Sequence, residues 1–453
     1  MIVSIKQFFN TGHPRSLVAK RNILGSLLIK GSSMLLSLFL VPLTLSILDS
    51  TKYGIWITLF SIVSWFNMMD IGLGNGFRNR FSEAISKNQI DEARNLISFL
   101  YSFMSVAFVI FVTIIFSLQP FLNWAKILNL SEAFDENINN IVFIAFLLFG
   151  LQLITKNISY VLLALQKTAL NDLLGFVCNI IIFITIYSLK NIINGKLTII
   201  VLIFMLTPVV VNIFSTFLLF QSRLKSFIPS KIIFNKVYFH RTMNIGIQFF
   251  IIQVAGLVLF STSNVMITQL WEPSDVTPYN IAYRLFNSFM VIFTIIVTPF
   301  WTAWTEAYAK EDFAWIKKSI NNLIKAWGLF SIMIFSTLFL SPFIYSVWIG
   351  DKISIPMGLS VQFSIYTLVL SFSSIPSFFL AGIGQIKVAL WIAIGQTCIY
   401  IPMVLLLNNL FNWGTISVIL SLNIVLIIGA IILTLHSNKI LDALSAKKII
   451  IYP

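Results

Sequence analysis

Apolar runs long enough to cross a membrane recur along almost the whole chain, and no other feature constrains the fold as strongly. About 20 mainly apolar residues in a helix cross a hydrocarbon layer of about 30 Å. Within lipid the backbone must bond to itself, so each run is predicted to form an α-helix. We place twelve spans, to within about 3 residues at each end, at 22–47, 53–70, 96–118, 138–162, 170–189, 197–220, 243–268, 278–299, 321–341, 357–380, 388–408 and 413–435.

The composition favours a membrane protein over a soluble one. Of the 453 residues, 58% are hydrophobic and 10% are charged, whereas soluble proteins carry about 25% charged residues. Most of the surface must therefore face a lipid bilayer rather than water. The predicted fold class is an all-α polytopic membrane protein with about twelve transmembrane helices.

The net charge of +14 comes from Lys and Arg residues that lie mainly between the predicted spans. This distribution differs from the basic clusters that bind nucleic acid, so we expect no nucleic-acid partner. Twenty-one basic residues fall in connections on the side of the N-terminus, and five fall on the other side. Because cytoplasmic connections carry the excess of Lys and Arg, both termini are predicted to be cytoplasmic.

No connection is long enough to hold a separate active-site domain. The longest external loops, about 119–137 and 342–356, carry no paired arginines or acids. Cys178 and Cys398 lie far apart in apolar runs, so neither a disulfide nor a metal site is expected. We therefore interpret the chain as a carrier rather than an enzyme, with no catalytic residues, no metal and no cofactor.

A short internal repeat divides the chain into halves. The segment 77–87, FRNRFSEAISK, aligns with 300–310, FWTAWTEAYAK, and each follows the second span of its half. Because six is an even number, both halves enter the membrane from the same side, as in parallel repeats. We predict a six-helix N-terminal lobe at 1–221, a cytoplasmic linker at 222–242, and a six-helix C-terminal lobe with a short cytoplasmic tail at 243–453, around a central cavity.

The run DIGLGNGFRNRFSEA at 70–84 resembles the segment at that position in the Wzx-type O-antigen flippases of the multidrug/oligosaccharidyl-lipid/polysaccharide exporter superfamily. The twelve spans, two lobes and linker also match, so the resemblance covers nearly the whole chain. It implies a MATE-like fold and alternating-access transfer of an undecaprenyl-diphosphate-linked oligosaccharide, the O-antigen repeat unit, to the periplasmic leaflet. It further implies the bacterial inner membrane and, as partners, a polysaccharide polymerase and a chain-length regulator.

Three predicted spans each present a polar stripe centred on a cation. The stripes are Lys30 with Ser26, Ser33, Ser37 and Thr44; Lys156 with Gln152 and Ser159; and Arg284 with Asn280, Asn287, Val291 and Thr294. A charge inside a span costs about 2.5–3.5 kcal/mol on insertion scales, so it indicates a functional position. The alternatives are helix packing by the polar neighbours and, for the two lysines, snorkelling to the headgroups. A fourth cation, Lys325, lies so near a span end that an interfacial position explains it.

The depths of the predicted spans contain no acidic residue, which favours an anionic substrate. Arg284, Lys30 and Lys156 are therefore the predicted substrate-binding residues, since Arg and Lys pair well with phosphate. Asp70, at the end of the second span, and Glu306, just beyond the eighth, are the candidates for ion coupling.

The aromatic residues Trp301, Trp304 and Tyr308 fit two interpretations. They stack on the faces of a bound sugar, or they belong to the aromatic belt found at membrane interfaces.

Three other functions stay open at this point. A multidrug exporter of the same superfamily moves organic cations and needs buried acids, which the spans lack. A membrane-embedded polysaccharide polymerase or glycosyltransferase needs a large external loop, which is also lacking. A lipid II flippase is the third alternative, although that family usually has two additional spans.

Overall fold

The computed structural model describes residues 14–66, 87–131, 134–165, 167–222, 224–229, 261–309, 311–350, 353–385 and 387–451, with isolated positions at 77–85 and 254–259. Helices and short connections make up this described chain, without a β-strand in it. Two compact units, Met1–Phe250 and Ile251–Pro453, are present. The all-α polytopic fold predicted from the apolar runs is confirmed.

The helices of the first unit begin and end as follows: α1 Pro14–Leu45, α2 Ser50–Trp65, α3 Ile90–Leu118, α4 Trp124–Ile127, α5 Ile138–Thr155, α6 Asn157–Ala164, α7 Thr168–Ile193 and α8 Leu197–Gln221. The helices of the second unit are α9 Thr262–Leu270, α10 Pro273–Ala309, α11 Phe313–Trp348, α12 Met357–Gly382, α13 Lys387–Phe411 and α14 Ile416–Ile451.

Ten segments within the described residues are long and apolar enough to cross a membrane. They coincide with ten of the twelve predicted spans. The other two predicted spans, 53–70 and 243–268, extend beyond the described ranges. Within the described part, α2 ends at Trp65 and α9 begins at Thr262. The structure is therefore consistent with about twelve spans.

Helices α10, α11 and α14 are longer than the sequence predicted. The residues between the predicted spans 278–299 and 321–341 are largely helical, because α10 continues to Ala309 and α11 begins at Phe313. In the same way α11 extends to Trp348, into the predicted external loop 342–356. The extensions at 300–309, 313–320 and 436–451 contain good helix formers such as Ala and Lys, so helical structure continues there beyond the apolar run. Each of these helices has 36 or 37 residues and is about 55 Å long.

A charged cluster joins the start of α2 to two connections of the first unit. Lys52 Nζ lies 2.9 Å from Asp135 Oδ1 and 3.4 Å from Glu136 Oε1, and it donates to the Gly195 carbonyl at 3.1 Å. The Glu136 carboxylate accepts hydrogen bonds from the first two backbone N–H groups of α8, those of Leu197 at 2.6 Å and Thr198 at 2.9 Å. Glu136 therefore caps α8 with a negative charge, where the helix dipole favours one.

The two segments of the internal repeat have the same local structure, each within its own unit. The rings of Phe77 and Phe81 lie 5.2 Å apart in the first unit, and those of Phe300 and Trp304 lie 5.6 Å apart in the second. Phe81 and Trp304, which the alignment pairs, are both fully buried. The repeat therefore extends from the sequence to the packing.

The turn that follows each segment repeats as well. Asn88 and Glu311, which are 223 positions apart, both adopt a left-handed backbone conformation with φ of 57°. The N–H of the next residue then bonds at 2.9 Å to the carbonyl of Ala84 in one unit and of Ala307 in the other. Such a left-handed residue with a bond back to the last helical turn is a common way to end a helix.

A second pair of turns is related by a shift of 218 positions. The Lys167 N–H bonds to the Leu162 carbonyl at 2.8 Å, and the Gln385 N–H bonds to the Leu380 carbonyl at 2.8 Å. Two separate turns of each unit thus have counterparts in the other. The linker predicted at 222–242 lies mostly outside the described residues, so the division into lobes and linker stays a prediction.

Candidate functional site

Lys30 lies in the middle of α1, on the side away from its exposed apolar face. Leu28, Leu35 and Phe39 are exposed, and their spacing places them on one side of the helix. Lys30 is two residues from Leu28, and therefore about 200° around the helix from it. The side chain of Lys30 is nevertheless 53% exposed. A charged group in this position lies away from the face that suits lipid.

Asp172 on α7 is the partner of Lys30. Its Oδ2 lies 3.6 Å from Lys30 Nζ, and its side chain is 13% exposed. The same two helices share a second polar contact, in which Asn179 Nδ2 donates to Ser33 Oγ at 2.8 Å. Hydropathy alone does not single out Asp172, because it lies only two residues inside the predicted span 170–189. Asp172 is a further carboxylate beside a predicted binding residue, in addition to the coupling candidates Asp70 and Glu306.

Lys156 lies where the predicted span 138–162 is interrupted. Helix α5 ends at Thr155 and α6 begins at Asn157, and Lys156 Nζ lies 6.0 Å from the centre of the Tyr160 ring. Gln152, which was predicted to share the polar face of Lys156, instead donates from Nε2 to the Met205 carbonyl of α8 at 2.8 Å. At least one member of this stripe thus serves helix packing.

Arg284 lies in α10, across the helix from three fully buried residues. Ala282, Phe286 and Phe293 are fully buried and share one side of the helix. Arg284 is two residues from both Ala282 and Phe286, which places it on the opposite side. Its side chain is partly exposed. Asn280, one turn earlier on the same face as Arg284, is buried, so this face of α10 is accessible only in part.

The interior beside Arg284 is lined by neutral polar and aromatic side chains. Asn280, predicted to share the face of Arg284, is buried and donates from Nδ2 to Asn264 Oδ1 at 2.8 Å. The rings of Tyr283 and Tyr366 lie 6.2 Å apart. Asn280 therefore contributes to packing within the unit, whereas Arg284, one turn later on the same face, is partly exposed.

The structure separates the three aromatic candidates for sugar stacking. Trp304 is fully buried and donates from Nε1 to Ser319 Oγ at 2.8 Å, so the stacking interpretation is wrong for this residue. Trp301 packs on Phe378, with ring centres 5.4 Å apart. Tyr308 is exposed.

The two predicted coupling residues are not placed by the structure. Asp70 lies outside the described residues, and the side chain of Glu306 is also outside them, although its backbone belongs to α10. Within the described chain, no three His, Cys, Asp or Glu residues form a cluster that would hold a metal ion.

Two curated proteins are similar to this chain over most of its length. One, from Yersinia pseudotuberculosis, has the name of an O-antigen export protein, and is 22% identical over 84% of this chain and 86% of its own. The other, from Salmonella typhimurium, has the name of an O-antigen transporter, and is 23% identical over 68% of this chain and 71% of its own. No protein-family model matches the sequence.

A solved structure of a multidrug resistance MATE family transporter of the MOP superfamily superposes with a TM-score of 0.71. The superposition covers 93% of this chain and 96% of the transporter chain, and the two sequences are 14% identical. This chain has the MATE fold. The resemblance to O-antigen exporters is confirmed by the names of the relatives, and the expected MATE-like fold is confirmed by the superposition.

The ten apolar helices and the MATE fold belong to a multi-pass membrane protein. The curated relatives of this chain are named as transporters. The fold by itself does not select a substrate, because the same architecture serves different cargoes. Substrate and mechanism depend instead on individual residues, and the cations on α1, α5–α6 and α10 are the candidates.

Proposed function

We propose that this protein is a flippase that moves an undecaprenyl-diphosphate-linked oligosaccharide, an O-antigen repeat unit, from the cytoplasmic to the periplasmic leaflet. The observation that carries the proposal is that cations in both units are accessible from outside the helix packing. Lys30 is exposed, and Arg284 is partly exposed. Lys156, at the break between α5 and α6, adds a third cation.

The chemistry of a diphosphate matches these residues. Arginine offers two parallel N–H donors to a phosphate group and keeps its charge at every accessible pH, whereas lysine offers a compact charge. A lipid-linked sugar places its diphosphate near the bilayer surface, next to an isoprenoid chain that stays in lipid. A carrier with alternating access exposes its binding cations to one side of the membrane and then to the other, and so moves the charged headgroup across.

A multidrug exporter of the same fold is the alternative. Organic cations need a free acid in the pathway, and Asp172 is the described carboxylate nearest to the predicted site. Its oxygen faces the ammonium of Lys30 at 3.6 Å, so the pair offers no net negative charge to a cationic drug. The names of the curated relatives also support polysaccharide transport rather than drug export.

The charge distribution supports the orientation of the carrier. Twenty-one basic residues lie in connections on the side of the termini against five on the other side, which indicates cytoplasmic termini in the inner membrane. Such a flippase delivers its product to a polysaccharide polymerase and a chain-length regulator, and we propose these as its partners.

Arg284→Ala tests the function. Removal of the guanidinium is expected to abolish surface polysaccharide in cells that depend on this protein, and Arg284→Lys to restore it only in part, because lysine loses the paired donors. Lys325→Ala is the matched control, since it removes an exposed cation of α11 outside the proposed site. Normal polysaccharide from an Arg284→Ala protein present at wild-type levels in the membrane would contradict the proposal.

A further inference from the structure

Asp172 provides a counter-charge for Lys30 within the first unit. The lysine is 53% exposed and the aspartate 13% exposed, so an accessible ammonium reaches toward a largely buried carboxylate. Asp172 Oδ2 is buried and accepts no hydrogen bond from the described residues. A buried carboxylate in this condition depends on a nearby cation, and the ammonium of Lys30 is 3.6 Å away.

The helices that pack on α7 bring few other ionisable groups to Asp172. Helix α8 contains none, and α6 contains only Tyr160. Helix α1 carries Lys30 and, nearer its start, three basic residues whose side chains lie outside the described part: Arg15, Lys20 and Arg21. Lys30 is therefore the described cation that faces Asp172.

We propose that Asp172 competes with the substrate's diphosphate for Lys30. The inference rests on the proposed function, because it assigns Lys30 to that anion. A single ammonium cannot fully neutralise both a carboxylate and a diphosphate. When substrate arrives, the diphosphate has more charge and more acceptor oxygens than the carboxylate, so Lys30 turns from Asp172 to the ligand.

The competition has a use in a carrier. A lysine that already has a carboxylate partner binds an incoming anion less tightly than an unpaired lysine, because the new ion pair forms at the expense of the existing one. When the lipid-linked sugar leaves, Asp172 takes back the ammonium and compensates for the lost contact. Asp172 is thus a positioning residue that weakens binding and speeds release.

Equilibrium binding of radiolabelled undecaprenyl diphosphate to the purified protein in nanodiscs tests the proposal. Asp172→Asn removes the competing charge and keeps the shape, so the dissociation constant is expected to fall about tenfold, which corresponds to about 1.4 kcal/mol. Lys30→Ala is expected to weaken binding. In the Lys30→Ala background, Asp172→Asn is expected to have no further effect, because the two residues act as a pair.

The matched control is Asp135→Asn, which removes the carboxylate of another Lys–Asp pair, the contact of 2.9 Å with Lys52. It is expected to leave the affinity unchanged. Asp172→Ser is measured alongside, so that poor folding of one variant does not decide the result. Unchanged or weaker binding in both Asp172 variants, or equal tightening without Lys30, would overturn the inference while the proposed function stands. If neither the wild-type protein nor any variant binds the lipid, the proposed function fails and the inference fails with it.

Discussion

Replacement of Glu136 by alanine tests how the first unit is held together outside the spans. The carboxylate is 10% exposed and accepts from the Leu197 and Thr198 N–H groups at 2.6 and 2.9 Å. Hydrogen bonds to a charged group contribute about 1.5–3 kcal/mol each. In the variant, water at the helix end bonds to the freed N–H groups and recovers part of this energy. The variant is therefore expected to lose roughly 2–4 kcal/mol of stability, which lowers the melting midpoint by about 4–16 °C in a unit of this size.

The assay is thermal unfolding of the purified protein followed by tryptophan fluorescence. Glu136→Gln keeps one acceptor oxygen without the charge, so its midpoint should fall between those of the wild type and Glu136→Ala. Asp135→Asn is the control from the same loop, because Asp135 is exposed and caps no helix, and its shift should be much smaller. A wild-type midpoint for Glu136→Ala, or an equal loss in the control, would refute the capping argument.

Two further predictions concern pH and the second unit. Burial lowers the pKa of Lys52, but the carboxylates of Asp135 and Glu136 outweigh it and leave the pKa above 10.5, while the hydrogen bond from Lys52 holds the pKa of Asp135 below 3.8. The Asp135 contribution is complete above pH 3.8 and is lost as pH falls through its lowered pKa. The Lys52 contribution is complete below pH 10.5 and is lost as pH rises through its raised pKa, so Asp135→Asn should flatten the acid side of a plot of melting midpoint against pH. Separately, Trp304→Ala should lower the free energy of unfolding by about 3–5 kcal/mol, since it removes a fully buried side chain. An unchanged free energy of unfolding in chemical denaturation would contradict this.

The spans were predictable because they depend on local information. An apolar run of sufficient length has to become a helix in lipid, wherever it lies in the chain. The same reasoning underestimated α10, α11 and α14, since hydropathy marks where lipid contact ends and not where helical hydrogen bonding ends. The break at Lys156 was also missed, because the apolar run continues through it.

The partners of the predicted site residues were not predictable in the same way. Lys30 and Asp172 are 142 positions apart, and Gln152 bonds to Met205, 53 positions away. Such contacts depend on which helices pack together, and apolar periodicity does not encode that choice. Knowledge that α1 packs along α7 would have drawn attention to Asp172, since Gly25 lies close to Ala169 on that same helix pair.

The repeated turns at Asn88 and Glu311 indicate that the two units descend from one duplicated ancestor. The two copies share this backbone geometry although different side chains occupy it. The charged residues are not repeated in the same way. By the 218-position shift that relates the second pair of turns, Lys156 corresponds to Ser374, whose hydroxyl donates to the Ser371 carbonyl at 2.6 Å. One unit has a cation where the other has a serine bonded to its own helix, so the two units are not chemically equivalent at this position.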